Sequence, residues 1–226
     1  MPLTPHRVDP SGFIAANLPL TAVPFVPELR LHMATPASGL RRMLEATGAP
    51  GSPYWAYPWA GGAVLARFVL DRPQTVAGRR VLDLGTGSGL VAIAAAKAGA
   101  ASVIAADTDP NALAALCLNA AANGVKVETW AHDVIDGPAP DVDMILAGDL
   151  FYETGLAARV TAFLDRCLDA GVAAALVGDP GRAPLPRQRL RLLAEYAVAD
   201  FGAAAQGGEK PAFVFSFQAD TPSREA

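Results

Sequence analysis

The stretch Asp83-Leu84-Gly85-Thr86-Gly87-Ser88-Gly89 sets a carboxylate two residues ahead of the first of three alternating glycines. Glycine lets the backbone take φ > 0 and lets a ligand approach the main chain closely. Apolar residues enter the loop from position 81, and a run of small residues, 90–98, leaves it. That reads as a strand, a tight turn and a helix start. The first turn of a helix presents unpaired N–H groups to a ligand. Asp83 closes the strand, where a buried carboxylate is costly unless it has partners.

A pyrophosphate would call for G-x-G-x-x-G, but Leu90 stands where the third glycine of that pattern belongs. A carboxylate at 83 would also repel a pyrophosphate, whereas it could hold an ammonium. S-adenosylmethionine carries an ammonium and a sulfonium and no phosphate. The pattern D-x-G-x-G-x-G resembles motif I of the class I methyltransferases, with a purely structural turn as the competing reading. Asp107 lies 22 residues after Gly85, at the end of a second predicted strand. A carboxylate there can accept both hydroxyls of a ribose. The competing reading makes Asp107 a helix cap, but Asp109, followed by Pro110 at the first helical position, already fills that place.

Four aromatic residues, Tyr54, Trp55, Tyr57 and Trp59, crowd into six positions of PYWAYPWAGG (53–62). They suit a packing plug over one end of a sheet. They suit equally a flat wall for an adenine or a cationic side chain, since aromatic faces attract cations. Further along, Asp149 follows Gly148 just past a fourth predicted strand, with Tyr152 three residues on. On capping rules Asp149 reads as the cap of the next helix.

The elements that must position these residues alternate. Strands are expected at 28–33, 81–84, 102–107, 125–130, 142–146, 173–177, 197–201 and 211–218. Helices are expected at 39–46, 63–70, 90–98, 110–122, 155–169 and 186–196. The apolar run at 142–146 suits a strand buried on both faces. Strand–helix alternation predicts a doubly wound α/β sheet. Arg30 and His32 are placed on the solvent face of the first strand.

At 226 residues, 52% hydrophobic and 18% charged, the chain should form one globular unit. The expected division is an extension over 1–50 packing on the core, a catalytic domain over 51–219 and a frayed tail over 220–226. A net charge of −4 argues against a general nucleic-acid binder. Cys117 and Cys167 read as small hydrophobes on helices, and three scattered histidines give no metal spacing. No secretory pattern and no membrane-length apolar run stand in the sequence, so no membrane partner and a cytoplasmic location are expected.

With these residues laid out, the chain resembles the seven-strand class I methyltransferases. More narrowly it resembles the lysine methyltransferases that modify the β subunit of electron-transfer flavoprotein. The resemblance rests on PYWAYPWAGG, VLDLGTGSG, the acidic end of the second strand, GDLFY (148–152) and GDPGR (178–182). It covers about 28–218. Residues 56–58 and Ala60 depart from the family's form, which puts the aromatic wall rather than the donor site in doubt. The resemblance implies a mostly parallel, seven-stranded Rossmann-like sheet with an N-terminal extension. It implies S-adenosylmethionine as donor and S-adenosylhomocysteine as product. Asp83, Gly85, Thr86 and Gly87 would hold the methionine part, and Asp107 the ribose. Trp59, Trp130, Asp133 and Gly148 would line the remainder. Asp149 and Tyr152 would face the lysine, in an apolar channel with Phe151 and Trp55. A ribosomal protein or a small nicotinamide-like amine stays open as an alternative acceptor. A nucleotide-binding oxidoreductase or a non-catalytic module on the same fold is the third reading, disfavoured by Leu90 and Asp83.

Overall fold

The computed structural model describes residues 9–47, 52–199 and 208–219. A hairpin of β1 (Leu20–Val23) and β2 (Val26–His32) follows helix α1 (Pro10–Asn17). Helices α2 (Leu40–Thr47) and α3 (Ala60–Asp71) come next, then β3 (Arg80–Leu84), α4 (Leu90–Lys97), β4 (Ser102–Ala106), α5 (Pro110–Ala122) and β5 (Glu128–Trp130). The chain continues through β6 (Met144–Gly148), α6 (Thr154–Asp169), β7 (Ala174–Asp179), β8 (Leu190–Ala199) and β9 (Glu209–Phe217).

The main sheet has seven strands in the order β5-β4-β3-β6-β7-β9-β8. Strands β3 to β7 run parallel, β9 enters antiparallel to β7, and β8 is antiparallel to β9. The order reverses beside β3, between β4 on one side and β6 on the other. Open α/β sheets leave a crevice at the carboxyl ends of strands at such a point.

Strand side chains alternate between two cores, as a period of two requires. Val81, Met144 and Leu146 join the cluster that packs under α3 and α4. Leu82, Leu84, Ile145 and Ala147 join the opposite cluster with Ala157, Val160 and Phe163 of α6. Asp83 has the parity of Val81, so it faces the α4 side.

Several expectations need correction. Residues 186–196 were expected as a helix because Leu, Arg, Ala and Glu favour one. They form a short 3-10 turn, Arg187–Arg189, and then β8, paired with β9 from Leu190↔Phe217 to Ala199↔Glu209. The long-range ladder outweighs the local preference. The third main-sheet strand is only Glu128–Trp130, and no helix joins it to β6, so strand and helix do not alternate throughout. Helix α1 and strand β1 were not foreseen. The hairpin docks on α5 and the residue that caps its end: the Arg30 N–H donates to Asn123 Oδ1 and the His32 N–H to Asn119 Oδ1. The Arg30 guanidinium is exposed and donates to the Leu20 carbonyl. His32 is half-buried, its Nδ1 2.7 Å from the Leu18 carbonyl oxygen. Cys167 is buried, and burial pushes its thiol up to about 11. Cys117 is exposed rather than packed. The expected tail at 220–226 and the strand end at Phe201 lie outside the described residues. No helix among the described residues is long and apolar enough to cross a membrane.

Candidate active site

A cavity of about 570 Å³ opens at the carboxyl ends of β3, β4 and β6. The glycine loop forms its floor. Gly85, Gly87 and Gly89 all hold positive φ, at 65°, 52° and 86°. A side chain at Gly85 would run into Leu150, and one at Gly89 into Leu116. Gly89 is the N-cap of α4 and supplies no side-chain cap.

Asp83 replaces that missing cap from across the loop. Its Oδ2 accepts the Ala92 N–H at 2.9 Å and the Thr86 hydroxyl at 2.6 Å. Only 1% of Asp83 is exposed, and burial lifts its carboxyl to about 7 against the pull of these two donors. Asp107 pins the loop from the other side. Its Oδ2 accepts the Gly87 N–H and its Oδ1 the Asp109 N–H, each at 2.9 Å. Burial raises its pKa as well. Asp109 caps α5 through the Asn111 N–H, so the cap reading for Asp107 falls away. A carboxylate has about four acceptor positions, so Asp107 keeps capacity for hydroxyl donors from the cavity.

Asp149 sits opposite, at φ 59°, in the left-handed region that few non-glycine residues adopt. It is not a helix cap. Glu153 caps α6, its carboxylate accepting the N–H groups of Gly155 and Leu156. Asp149 Oδ2 accepts the Gly62 N–H at 2.6 Å, and Oδ1 accepts from Arg182 Nη1 at 2.8 Å. Burial raises its pKa, while the Arg182 charge and the Gly62 N–H oppose the rise.

Glycines explain how α3 comes so near. A Cβ on Gly148 would lie 2.9 Å from the Gly62 Cα, and a Cβ on Gly178 2.8 Å from the Leu65 Cβ. The motifs GG of 61–62, GD of 148–149 and GD of 178–179 are therefore one contact, seen from three places in the chain.

The structure brings Trp59, Asp83, Gly85, Thr86, Gly87, Asp107, Asp133, Gly148, Asp149 and Tyr152 to this cavity. Trp130 is not among its lining residues. Its indole stacks on His132 with ring centroids 5.7 Å apart, and its Nε1 donates to Glu128. His132 is the ring that lines the cavity instead. Asp133 reaches the wall but is already engaged: Oδ2 pairs with Arg159 at 2.6 Å and Oδ1 accepts the Ile135 N–H.

The aromatic wall also differs from expectation. Phe151 is fully buried in the core beneath α6 and lines no channel. Trp55 borders the cavity but is 3% exposed and packs with Ile14, Leu18 and Ala112. The accessible rings are Tyr54, 55% exposed, and Tyr152, 54% exposed, with centroids 6.0 Å apart. Trp59 completes the group edge-on to Tyr54, its Nε1 donating to the Tyr54 carbonyl at 2.7 Å. Sequence reasoning left Arg182, His132 and Arg159 without a role at the site. GDPGR drew notice as a motif, but nothing local ties Arg182 to Asp149, 33 residues away.

A family model described as ribosomal protein L11 methyltransferase (PrmA) matches residues 65–151. The electron transfer flavoprotein beta subunit lysine methyltransferase of Xenopus laevis is 38% identical over 214 residues, which is 92% of this chain and 87% of that protein. The solved ribosomal protein L11 methylase of Lactobacillus delbrueckii subsp. bulgaricus is 25% identical with a TM-score of 0.50, over 68% of this chain and 77% of that one. The Pyrococcus abyssi tRNA (uracil-54, C5)-methyltransferase, solved with S-adenosyl-L-homocysteine, is 19% identical with a TM-score of 0.51, over 69% of this chain and 38% of that one. That last likeness concerns the fold alone.

Proposed function

The chain belongs to the family of electron-transfer flavoprotein β-subunit lysine methyltransferases, and on that premise we propose that it moves methyl groups from S-adenosylmethionine to lysines of the flavoprotein β subunit. One observation carries the site reading. The cavity joins a glycine loop pinned by two carboxylates, Asp83 and Asp107, to a third carboxylate, Asp149, across the sheet's point of reversal.

The residues present suit this donor. Gly85 and Gly87 offer bare backbone, and Asp83 offers a carboxylate to an ammonium. Asp107 retains acceptor capacity for ribose hydroxyls. Trp59 and His132 offer flat faces, the acceptor positions that Arg159 and Ile135 leave on Asp133 suit an adenine amino group, and Gly148 offers its backbone at the cavity wall. When bound, the sulfonium supplies a methyl group open to in-line displacement by a neutral amine.

The chain's own groups handle the acceptor. Lysine in water is protonated, with a pKa of about 10.4. Tyr54 and Tyr152 form an apolar, π-faced entrance that covers the alkyl stem and tolerates a cation. Asp149 receives the ammonium and orients its nitrogen. Its anionic form favours the charged amine, so the proton leaves through water as the entrance desolvates the nitrogen. Alignment of the two reactants supplies most of the acceleration.

The ribosomal protein L11 reading draws on the family-model match. That match ends at 151 and omits the 53–62 and 178–182 segments that shape the acceptor side, so it speaks to the donor half. Radiolabelled methyl transfer into a cell extract, with purified flavoprotein and ribosomal protein L11 as added substrates, tests the choice. Label on the flavoprotein β subunit is expected. Label confined to L11 or to a small-molecule fraction would overturn the reading.

A further inference from the structure

Arg182 leaves the loop after β7 and turns back to the cavity, which its side chain helps to line. Its Nη1 donates to Asp149 Oδ1 and to Asp179 Oδ2, each at 2.8 Å. Asp179 is fully buried, and its Oδ1 accepts the N–H groups of Gly181 and Arg182 at 2.8 Å each. Gly62 holds the far oxygen of Asp149. Each carboxylate is thus fixed from two sides, and one guanidinium nitrogen is common to both. Among the described residues, α3 brings Gly61 and the Gly62 N–H against Asp149 and no charged group, and from the loop after β7 the charged groups are Arg182 and Asp179. Arg187 approaches the Gly181 carbonyl, on the exposed side of the same loop.

With both carboxylates ionised, the single guanidinium leaves one negative charge unbalanced. Burying a charge without its counterpart is costly. The cluster's opening to the cavity, at Asp149, is where a cation would relieve it.

We propose that Arg182 is the positioning residue of the acceptor site, aiming the Asp149 carboxylate at the substrate nitrogen, and that the unbalanced charge of the Asp149–Arg182–Asp179 cluster draws the lysine ammonium into the cavity. This rests on the lysine-methyltransferase reading. Arg182 also opposes the rise that burial imposes on the Asp149 carboxyl. Burial alone would push the carboxyl up, and the guanidinium holds it down. Activity that needs the carboxylate is lost as pH falls through its midpoint, so removing Arg182 moves the acid limb to higher pH.

The test follows Asp149 directly, through the carboxyl carbon resonance of aspartate-labelled protein, assigned with Asp149→Asn. In Arg182→Gln the midpoint of that resonance rises by about one pH unit or more, as expected for losing an adjacent opposite charge. The kcat on the flavoprotein subunit falls about 100-fold, the scale of a small misplacement. S-adenosylhomocysteine affinity, read by calorimetry, changes by about twofold at most. Arg182→Lys keeps the charge and restores the midpoint and most of kcat. If Arg182→Gln does not fold, the double variant Arg182→Gln/Asp179→Asn, which removes one charge of each sign, is read by kcat, because losing the Asp179 charge offsets the rise in the Asp149 midpoint. An unmoved Asp149 midpoint in Arg182→Gln, or an unchanged kcat, overturns the proposal. The two readings fail separately: a wild type that transfers no methyl group sinks the proposed function, and the resonance still decides the Arg182–Asp149 coupling.

Discussion

Gly61 at the start of α3 packs on Gly178 at the end of β7 so closely that a Cβ on Gly61 would collide with the Gly178 carbonyl oxygen. The same Cβ would lie 2.8 Å from the Asp149 Cγ. Backbone meets backbone here, so no flexible side chain can give way. Gly61→Ala is expected to cost about 1–3 kcal/mol of stability, the range for overpacking a tight site. It should also push the Gly62 N–H off Asp149 and depress methylation in the protein that remains folded. Urea denaturation and turnover per folded molecule check both parts. Wild-type stability in the alanine variant would show that α3 can slide away.

Asp149→Asn separates charge from shape. Asparagine tolerates the left-handed backbone that Asp149 occupies at φ 59°. Its amide oxygen can still accept the Gly62 N–H, but its NH₂ then faces Arg182 and the negative charge is gone. The fold and the donor affinity should persist while lysine methylation falls about 100-fold or more. Near-normal methylation with unaltered calorimetric binding would refute a role for the carboxylate at the acceptor.

The two tryptophans of PYWAYPWAGG should respond differently. Trp55 is buried among Ile14, Leu18 and Ala112, so Trp55→Ala is expected to lower stability by about 3–5 kcal/mol. Trp59 lines the cavity, and Trp59→Ala should weaken S-adenosylhomocysteine binding instead. Asp107→Ala serves as the comparison, with an expected loss of about 1–3 kcal/mol in the same calorimetry. A Trp55→Ala protein with wild-type melting and slow turnover would restore it to the acceptor wall.

Asp83 links stability to pH. Its carboxyl titrates near 7 in the folded protein against 3.8 ordinarily, because burial disfavours the anion. A raised carboxyl pKa means that the unfolded chain loses its proton first as pH climbs. The contribution of Asp83 to stability is therefore complete below about 3.8 and is lost as pH rises through about 7. The full effect is on the order of 4 kcal/mol as an upper bound. Asp83→Asn should flatten the stability–pH curve across this window, measured by urea midpoints at pH 5 and pH 8. A curve of unchanged slope would mean that Asp83 is ionised throughout. Donor binding near neutral pH should also release a proton, since an ammonium beside Asp83 favours the anion. Calorimetry in buffers of different ionisation enthalpy reads that release.

Local chemistry made much of this legible in the chain. Glycines at 85, 87 and 89 require positive φ or close approach, and the backbone shows it. Asp109 and Pro110 announce the start of α5, and the helix begins there. The apolar runs give the central parallel strands, because a strand covered on both faces has little choice of composition. Three carboxylates that line the cavity, Asp83, Asp107 and Asp149, were also singled out from sequence, each at a strand end near a glycine or a helix start.

What the sequence could not decide depends on partners distant in the chain. Residues 190–199 carry helix-favouring side chains and become a strand only because β9 offers a ladder of backbone partners. Phe151 and Tyr152 are adjacent, yet the turn after β6 buries the first under α6 and leaves the second at the cavity mouth. His132 rather than Trp130 lines the cavity: β5 ends at Trp130, and the chain meets the cavity two residues later. Asp149 is pinned by Gly62 and Arg182, 87 residues before it and 33 after it. Periodicity and capping act over a few residues, so they mark elements and candidate groups. The pairing of charges across the sheet edge is set by tertiary packing, which alone brings those three segments within hydrogen-bond reach.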